Sequence, residues 1–325
     1  MKILVAGIGG IGGWLAGTLA RGGADVTLYA RGLTLARLRE DGLVVQSGEK
    51  SERFRLPVWD GQKSLAAQDM VLICVKAQDF GAIAETIAPV FFGKPRVSAV
   101  VNGLPYWFLD GLDTPFGNRN LETIDPGGKA RKVLDGIKPL GSVVHGSAAA
   151  IEPGVIRIAK VDRFIIGEPD GRASEEASAL AGLCEAGGVS APVVDNIRTE
   201  IWAKLWGNMS VNPLSALTQL TTTPLHTIPE TRALIVSLME EFELIGKRLG
   251  LRLPMGVEER IAVTEFLGDF RTSMLADLQA GRRLETDGIM GCIIELADRL
   301  GEDAPSCRAV YAMIKGLDHA LSVGR

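Results

Sequence analysis

The stretch Lys2-Ile3-Leu4-Val5-Ala6-Gly7-Ile8-Gly9-Gly10-Ile11-Gly12-Gly13-Trp14-Leu15-Ala16-Gly17-Thr18-Leu19 decides the fold. Lys2 to Ala6 is a short apolar run rich in β-formers, and Ile11, Leu15 and Leu19 then recur at helical spacing through Gly22. Between them, Gly7-Ile8-Gly9-Gly10-Ile11-Gly12 matches G-x-G-x-x-G. In a chain with 39 glycines the pattern alone is weak, and the strand before it and the helix after it give it meaning. Gly7 permits a tight turn, Gly9 lets a pyrophosphate approach the backbone, and Gly12 lets the helix close on the strand. The helix N-terminus then offers N–H groups and partial positive charge to phosphates. The plain alternative is a glycine-rich structural turn.

Outward from this unit, strand-like and helix-like segments alternate. Asp25 to Ala30 reads as a second strand. Met70 to Val75 and Arg96 to Val101 are continuous apolar runs of the kind buried on both faces of a parallel sheet. Gly42 to Val58 reads as two short strands around a polar turn at Ser47 to Ser51. Asp110 to Lys138 is polar, rich in Gly and Pro, and reads as a long loop. Strand signals return at Ser142 to Ala148, Val155 to Ala159 and Arg163 to Ile166. The helix Ala173 to Ala186 and the strand Ser190 to Val194 follow. Beyond Asp195 the segments Asn196 to Leu217, Pro229 to Leu249, Val257 to Leu267, Leu284 to Leu300 and Ala304 to Leu321 all carry helical periodicity, without a convincing strand. The expected fold class is α/β: an N-terminal Rossmann-type doubly wound domain over residues 1–195, followed by an all-α domain over residues 196–325.

The second strand ends Leu28-Tyr29-Ala30-Arg31, without the carboxylate that receives the ribose hydroxyls of NAD. A guanidinium there suits a 2′-phosphate, so the expected dinucleotide is NADP(H), unless Arg31 is merely solvated. Lys76 follows a buried strand at the carboxyl edge, where it adds positive charge near the cofactor or the substrate.

The helix Asn196 to Leu217 carries the second signal. Lys204, Asn208 and Asn212 stand at i, i+4 and i+8, on one face and each displaced by about 40°. Trp202, Leu205, Trp206 and Met209 take the opposite positions. Solvent-facing stripes favour Lys and Glu, whereas two Asn in a helix carry a propensity cost, so the stripe reads as the lining of a site. A further polar set runs from Ser273 to Glu285. By spacing alone its Gly281-Arg282-Arg283 is a turn between helices, and Glu285 is a helix-start carboxylate.

Bulk properties narrow the class. The 325 residues are 46% hydrophobic and 23% charged, with a net charge of −4 and mixed signs, which fits a soluble globular protein and gives no support to nucleic-acid binding. No apolar run reaches the ~18 residues of a membrane span. Cys74, Cys184, Cys292 and Cys307 are scattered and read as buried thiols of a reducing compartment. With His145, His226 and His319 equally dispersed, no metal site is expected. The cytoplasm is the expected location.

Taken together these residues resemble the ketopantoate reductase (2-dehydropantoate 2-reductase) family. The likeness runs through Gly7-x-Gly9-x-x-Gly12, Arg31, Val75-Lys76-Ala77, Asn102-Gly103, Asn196-Ile197-Arg198, Lys204-Leu205, Asn208, Asn212-Pro213-Leu214, Ser273-Met274, Asp277, Gly281-Arg282 and Glu285. The resemblance implies NADPH-dependent reduction of 2-dehydropantoate to pantoate, on the route to coenzyme A, in a cleft between the two domains. It implies Lys204 as general acid and Glu285 as the residue that orients Lys204 or a bridging water. It further implies Asn102, Asn208, Asn212 and Ser273 as substrate ligands, and Gly7, Ile8, Gly9, Gly10, Ile11, Gly12, Arg31, Lys76 and Asn102 around the cofactor. A homodimer is compatible with it. The chain departs from the family pattern at the aromatic run Leu104-Pro105-Tyr106-Trp107-Phe108 and in the long segment Asp110 to Lys138. Both departures point to a different 2-keto acid as the alternative substrate. A non-catalytic NADP(H) sensor is the remote alternative, and it predicts degenerate catalytic positions that this chain does not have.

Overall fold

The computed structural model describes residues 1–117 and 119–323. In chain order the elements are β1 (Lys2–Ala6), α1 (Gly10–Arg21), β2 (Asp25–Tyr29), α2 (Gly32–Asp41), β3 (Leu43–Ser47), β4 (Lys50–Phe54), β5 (Val58–Trp59), β6 (Met70–Ile73), α3 (Phe80–Thr86), β7 (Arg96–Ala99), α4 (Lys129–Val133), β8 (Pro139–Glu152), β9 (Val155–Gly167), α5 (Glu175–Ala186) and β10 (Val193–Val194). The helices α6 (Ile197–Thr218), α7 (Thr222–Thr227), α8 (Pro229–Arg248), α9 (Val257–Phe266), α10 (Ser273–Gln279), α11 (Cys292–Leu300) and α12 (Pro305–Val323) follow. Two compact units result. One holds residues 1–101 and 127–200, the other 102–126 and 201–325. The segment 102–126, expected in the N-terminal domain, lies in the helical unit.

In the first unit β5, β2, β1, β6, β7 and the start of β8 form a parallel sheet in that order. This is the Rossmann order, with its reversal between β1 and β6. The expected strand at 70–75 is β6, whose four residues are all buried, as its unbroken apolar run requires. Beyond Leu140, β8 leaves β7 and pairs antiparallel with β9. β9 pairs parallel with β3, and β3 pairs antiparallel with β4, as its sequence predicts.

The hairpin differs from its three-strand reading. β8 and β9 are 14 and 13 residues long, and β8 is interrupted by irregularities after His145, Ser147 and Ala150. Each irregularity breaks the alternation that marks a strand. Helix α1 packs against this ribbon through its glycines. An added Cβ on Gly10 would lie 2.0 Å from the Ala148 carbonyl oxygen, and one on Gly13 would lie 2.4 Å from Ile156. Ile3, Leu15, Leu19, Leu72, Ile156 and Phe164, all fully buried, belong to the core of this unit.

The second unit is helical, as expected, and 102–126 is built into it. Leu104, Trp107, Phe108 and Leu109 are buried. The Phe108 ring stacks on Trp202 at 5.9 Å, and Trp202 stacks on Phe242 of α8 at 4.0 Å. Tyr106 is buried as well. The aromatic run is therefore core of the helical unit, and its bulk has a packing cause. Further along, Glu295 of α11 accepts from the N–H groups of Glu122 and Thr123 at 2.9 Å each, and Arg299 donates to the Asn120 carbonyl at 2.6 Å. The four cysteines are free and buried.

Candidate active site

The glycine turn sits at the carboxyl end of β1, beside β6, where the strand order reverses. Gly7 has φ +97°, and a Cβ there would lie 2.5 Å from both the Cys74 carbonyl oxygen and Val75. A Cβ on Gly12 would lie 2.0 Å from the Gly7 carbonyl oxygen, so this position brings helix and strand together. Around Gly9 an added Cβ meets nothing within 4 Å. Gly9 also caps α1, whose first backbone bond runs from Gly13 N–H to the Gly9 carbonyl at 2.9 Å. The preceding first-turn N–H groups have no acceptor within the helix. Ile8 is buried and Ile11 packs on the core, so within the motif these two side chains serve packing. Arg31 follows β2, is exposed, and occupies the N-cap position of α2. Lys76 follows β6, half-buried.

The helical unit holds a continuous polar chain. Lys204 Nζ donates to Asn102 Oδ1 at 3.1 Å, and Asn102 Nδ2 donates to Glu285 Oε2 at 3.1 Å. Three residues far apart in sequence thus form one array, with the amide between the cation and the anion. Burial lowers the Lys204 ammonium to a pKa of about 8, while the negative charge of Glu285 works in the opposite direction. Lys204 is half-buried, and Glu285 is 8% exposed.

Local folding explains the array. Asn196 Oδ1 caps α6 by accepting from Thr199 N–H at 3.1 Å. Trp202, Leu205, Trp206 and Met209 are buried, and the Trp206 indole N–H donates to the Met239 carbonyl at 3.1 Å, which fixes the rotation of the helix. Asn102 is set by its neighbour. Gly103 has φ +93°, and a Cβ there would lie 2.0 Å from the Gly288 carbonyl oxygen. Gly288 belongs to a π-helical turn over Asp287–Gly291, a local widening that recurs at functional sites. Glu285 is held from both sides by α12. Leu284 N–H donates to Asp318 Oδ1 at 2.8 Å, while the Tyr311 hydroxyl and Lys315 donate to Asp287 at 2.5 and 3.1 Å. Asp287, Tyr311 and Asp318 carry no signal of this role in the sequence.

Of the expected substrate ligands, Asn102 joins Lys204 and Glu285 directly. Asn208 and Asn212 continue along the same face of α6, half-buried and 7% exposed respectively. Ser273 stands outside the hydrogen-bonded chain as the exposed first residue of α10, after the capping Thr272. Arg282 pairs with Asp277 at 2.7 Å and closes the turn after α10. Among the described residues no group of His, Cys, Asp and Glu could hold a metal ion, and no helix is long and apolar enough to cross a membrane.

Residues 3–171 match the family model described as ketopantoate reductase PanE/ApbA, and residues 196–318 match its C-terminal counterpart. A 2-dehydropantoate 2-reductase from Mesorhizobium japonicum is 38% identical over 98% of both chains. A crystal structure from Ralstonia solanacearum, provisionally described as a ketopantoate reductase, superposes with a TM-score of 0.92 at 32% identity, over 98% of both chains. A ternary structure of D-mandelate dehydrogenase with NADH and anilino(oxo)acetate shares the fold, with a TM-score of 0.83 at 20% identity over 99% of this chain and all of that one. The chain is an oxidoreductase and belongs to the ketopantoate reductase family.

Proposed function

We propose that this protein reduces 2-dehydropantoate to pantoate with NADPH, on the route to coenzyme A, with Lys204 as the proton donor. The observation that carries the reading is the hydrogen-bonded chain Lys204–Asn102–Glu285. Reduction of a ketone builds negative charge on its oxygen. A nearby ammonium stabilises that charge and then gives up a proton. A free lysine holds its proton too tightly for this task, and burial brings Lys204 down to about 8, close to the operating range. The negative charge of Glu285 opposes that fall and keeps more of the amine protonated, and Asn102 bridges the two groups. After the transfer, Lys204 is neutral and regains its proton from solvent. Asn208, Asn212 and Ser273 are the further substrate ligands, offering amide and hydroxyl groups to the ketone, hydroxyl and carboxylate.

The first unit supplies the cofactor site. The open space at Gly9, the free first-turn N–H groups of α1 and the exposed Arg31 fit a dinucleotide bearing a 2′-phosphate. When bound, its dihydronicotinamide supplies the hydride. Gly7 and Gly12 shape the turn, Gly10 contributes an N–H from the helix start, and Lys76 adds positive charge beside it. The substrate assignment follows the name of the Mesorhizobium japonicum relative. The burial of Trp107 and Phe108 in the helical core removes the main reason to expect a different side chain on the substrate.

The test is NADPH oxidation against a panel of 2-keto acids that includes 2-dehydropantoate. The expected result is the highest kcat/KM with 2-dehydropantoate. Turnover of another acid in its place overturns the substrate assignment.

A further inference from the structure

Arg260, on α9, is half-buried. Nη1 donates to Thr264 Oγ1 at 3.0 Å, one turn further along the helix. Nη2 lies over the backbone of Gly207 in α6, so close that a Cβ on that residue would fall 2.1 Å from it. Gly207 directly precedes Asn208 and stands three residues after Lys204. Helix α6 thus gives up a side chain beside its polar stripe, and a guanidinium fills the space.

Five other arginines of this unit have carboxylates, while Arg252 and Arg271, which hold none among the described residues, are exposed. Arg232, Arg248, Arg282, Arg299 and Arg308 each hold one at 2.5–2.9 Å. Arg260 has no carboxylate within 4 Å among the described residues. Burial weakens its hold on its proton, and no neighbouring acid counters that effect. A cation taken partly out of water without an anion is costly, and an incoming anion relieves that cost. The planar fork of a guanidinium matches a carboxylate in two-point contact.

We propose that Arg260, admitted by Gly207 to the edge of the Lys204–Asn208 stripe, binds the carboxylate of the 2-keto acid substrate. This rests on the functional reading above for the presence of a carboxylate substrate. Arg260 is then a binding and specificity residue. It orients the acid so that the ketone oxygen meets Lys204, and it selects for charge over a neutral ketone.

The test compares the binding of 2-dehydropantoate with that of its neutral primary amide, by calorimetry on enzyme saturated with NADP+, where no turnover occurs. In Arg260→Met the affinity for the acid falls roughly 10- to 100-fold, the scale of a charge-assisted hydrogen bond, while that for the amide changes little. Arg260→Lys keeps the charge without the fork and falls between the two. Gly207→Ala displaces the guanidinium and lowers the acid-to-amide ratio in the same direction. These two variants keep the test decisive if Arg260→Met does not fold. An unchanged acid-to-amide ratio in folded variants, with only a lower Tm, overturns the proposal and leaves Arg260 as a strut between α9 and α6. If the wild type does not bind 2-dehydropantoate, the substrate reading fails by itself, and the same comparison is made with pyruvate and its amide. Loss of pyruvate binding in Arg260→Met then supports the role of Arg260. No loss, or a wild type that binds neither acid, refutes it.

Discussion

Replacing Glu285 by Gln removes a charge while keeping the shape and an oxygen to accept from Asn102. Lys204 stands at about 8 because burial lowers it and Glu285 partly restores it. Two contacts of 3.1 Å and one amide separate the ammonium from the carboxylate. At ~7 Å and an effective dielectric constant of ~20, the attraction is about 2 kcal/mol, equivalent to about 1.5 pH units. Screening at a half-buried amine reduces this to about one pH unit. The protonated amine is the donor in reduction, so kcat/KM is full below about 8 and falls as pH rises through that value. In Glu285→Gln the falling limb moves down to around pH 7. Oxidation of pantoate needs the neutral amine, so its rising limb moves down by the same amount. The assay is the initial rate of NADPH oxidation across the neutral and alkaline range at constant ionic strength, with NADPH affinity measured separately as a control. A falling limb that stays near 8 in the folded variant would show that Glu285 does not hold the charge of Lys204, and the role given to Asn102 would fall with it.

Four further substitutions test other parts of the protein. Arg31→Ala lowers NADPH affinity by roughly 10- to 100-fold and NADH affinity far less; equal losses in a binding titration would remove the 2′-phosphate role. Gly9→Ala costs at most about 1 kcal/mol of stability, because its Cβ meets nothing, yet it weakens NADPH binding. Gly12→Ala drives a Cβ to 2.0 Å from a carbonyl oxygen and costs roughly 1–3 kcal/mol, so thermal melts and cofactor titrations on the pair separate packing from binding. Phe108→Ala removes a ring stacked on Trp202 and lowers stability by about 3–5 kcal/mol in urea unfolding; a loss below about 1 kcal/mol would contradict the core role of the aromatic run.

The parts of this protein legible in its sequence are those whose meaning is local. The strand, turn and helix around Gly7 to Gly12 are specified by adjacent residues, and so is the place of Arg31 at a strand end. The stripe Lys204, Asn208, Asn212 is visible because helical spacing alone puts it on one face. Spacing alone does not show what depends on distant contacts: the family resemblance names Asn102 and Glu285, but not the hydrogen bond that joins them. Asn102 and Glu285 are 183 positions apart, and what joins them is a glycine backbone resting on a π-helical turn. That turn also breaks the 3.6-residue period from which a helix over 284–300 is expected. The segment 102–126 follows directly on the Rossmann strands, so chain continuity assigns it to their domain. The bulk of Trp107 and Phe108 was the signal that it belongs to a different core. Helix α2 shows no stripe because Leu38 is its one buried residue, and α7 is too short at six residues to display a period.

The most direct measurement of the central claim is the Lys204→Ala variant, assayed for turnover and for NADPH binding side by side. Loss of the proton donor lowers kcat with 2-dehydropantoate by roughly 10²-fold or more, the scale of general acid catalysis. The dissociation constant for NADPH stays near the wild-type value, because the cofactor residues other than Asn102 lie in the other unit. Turnover that survives the substitution would contradict the account.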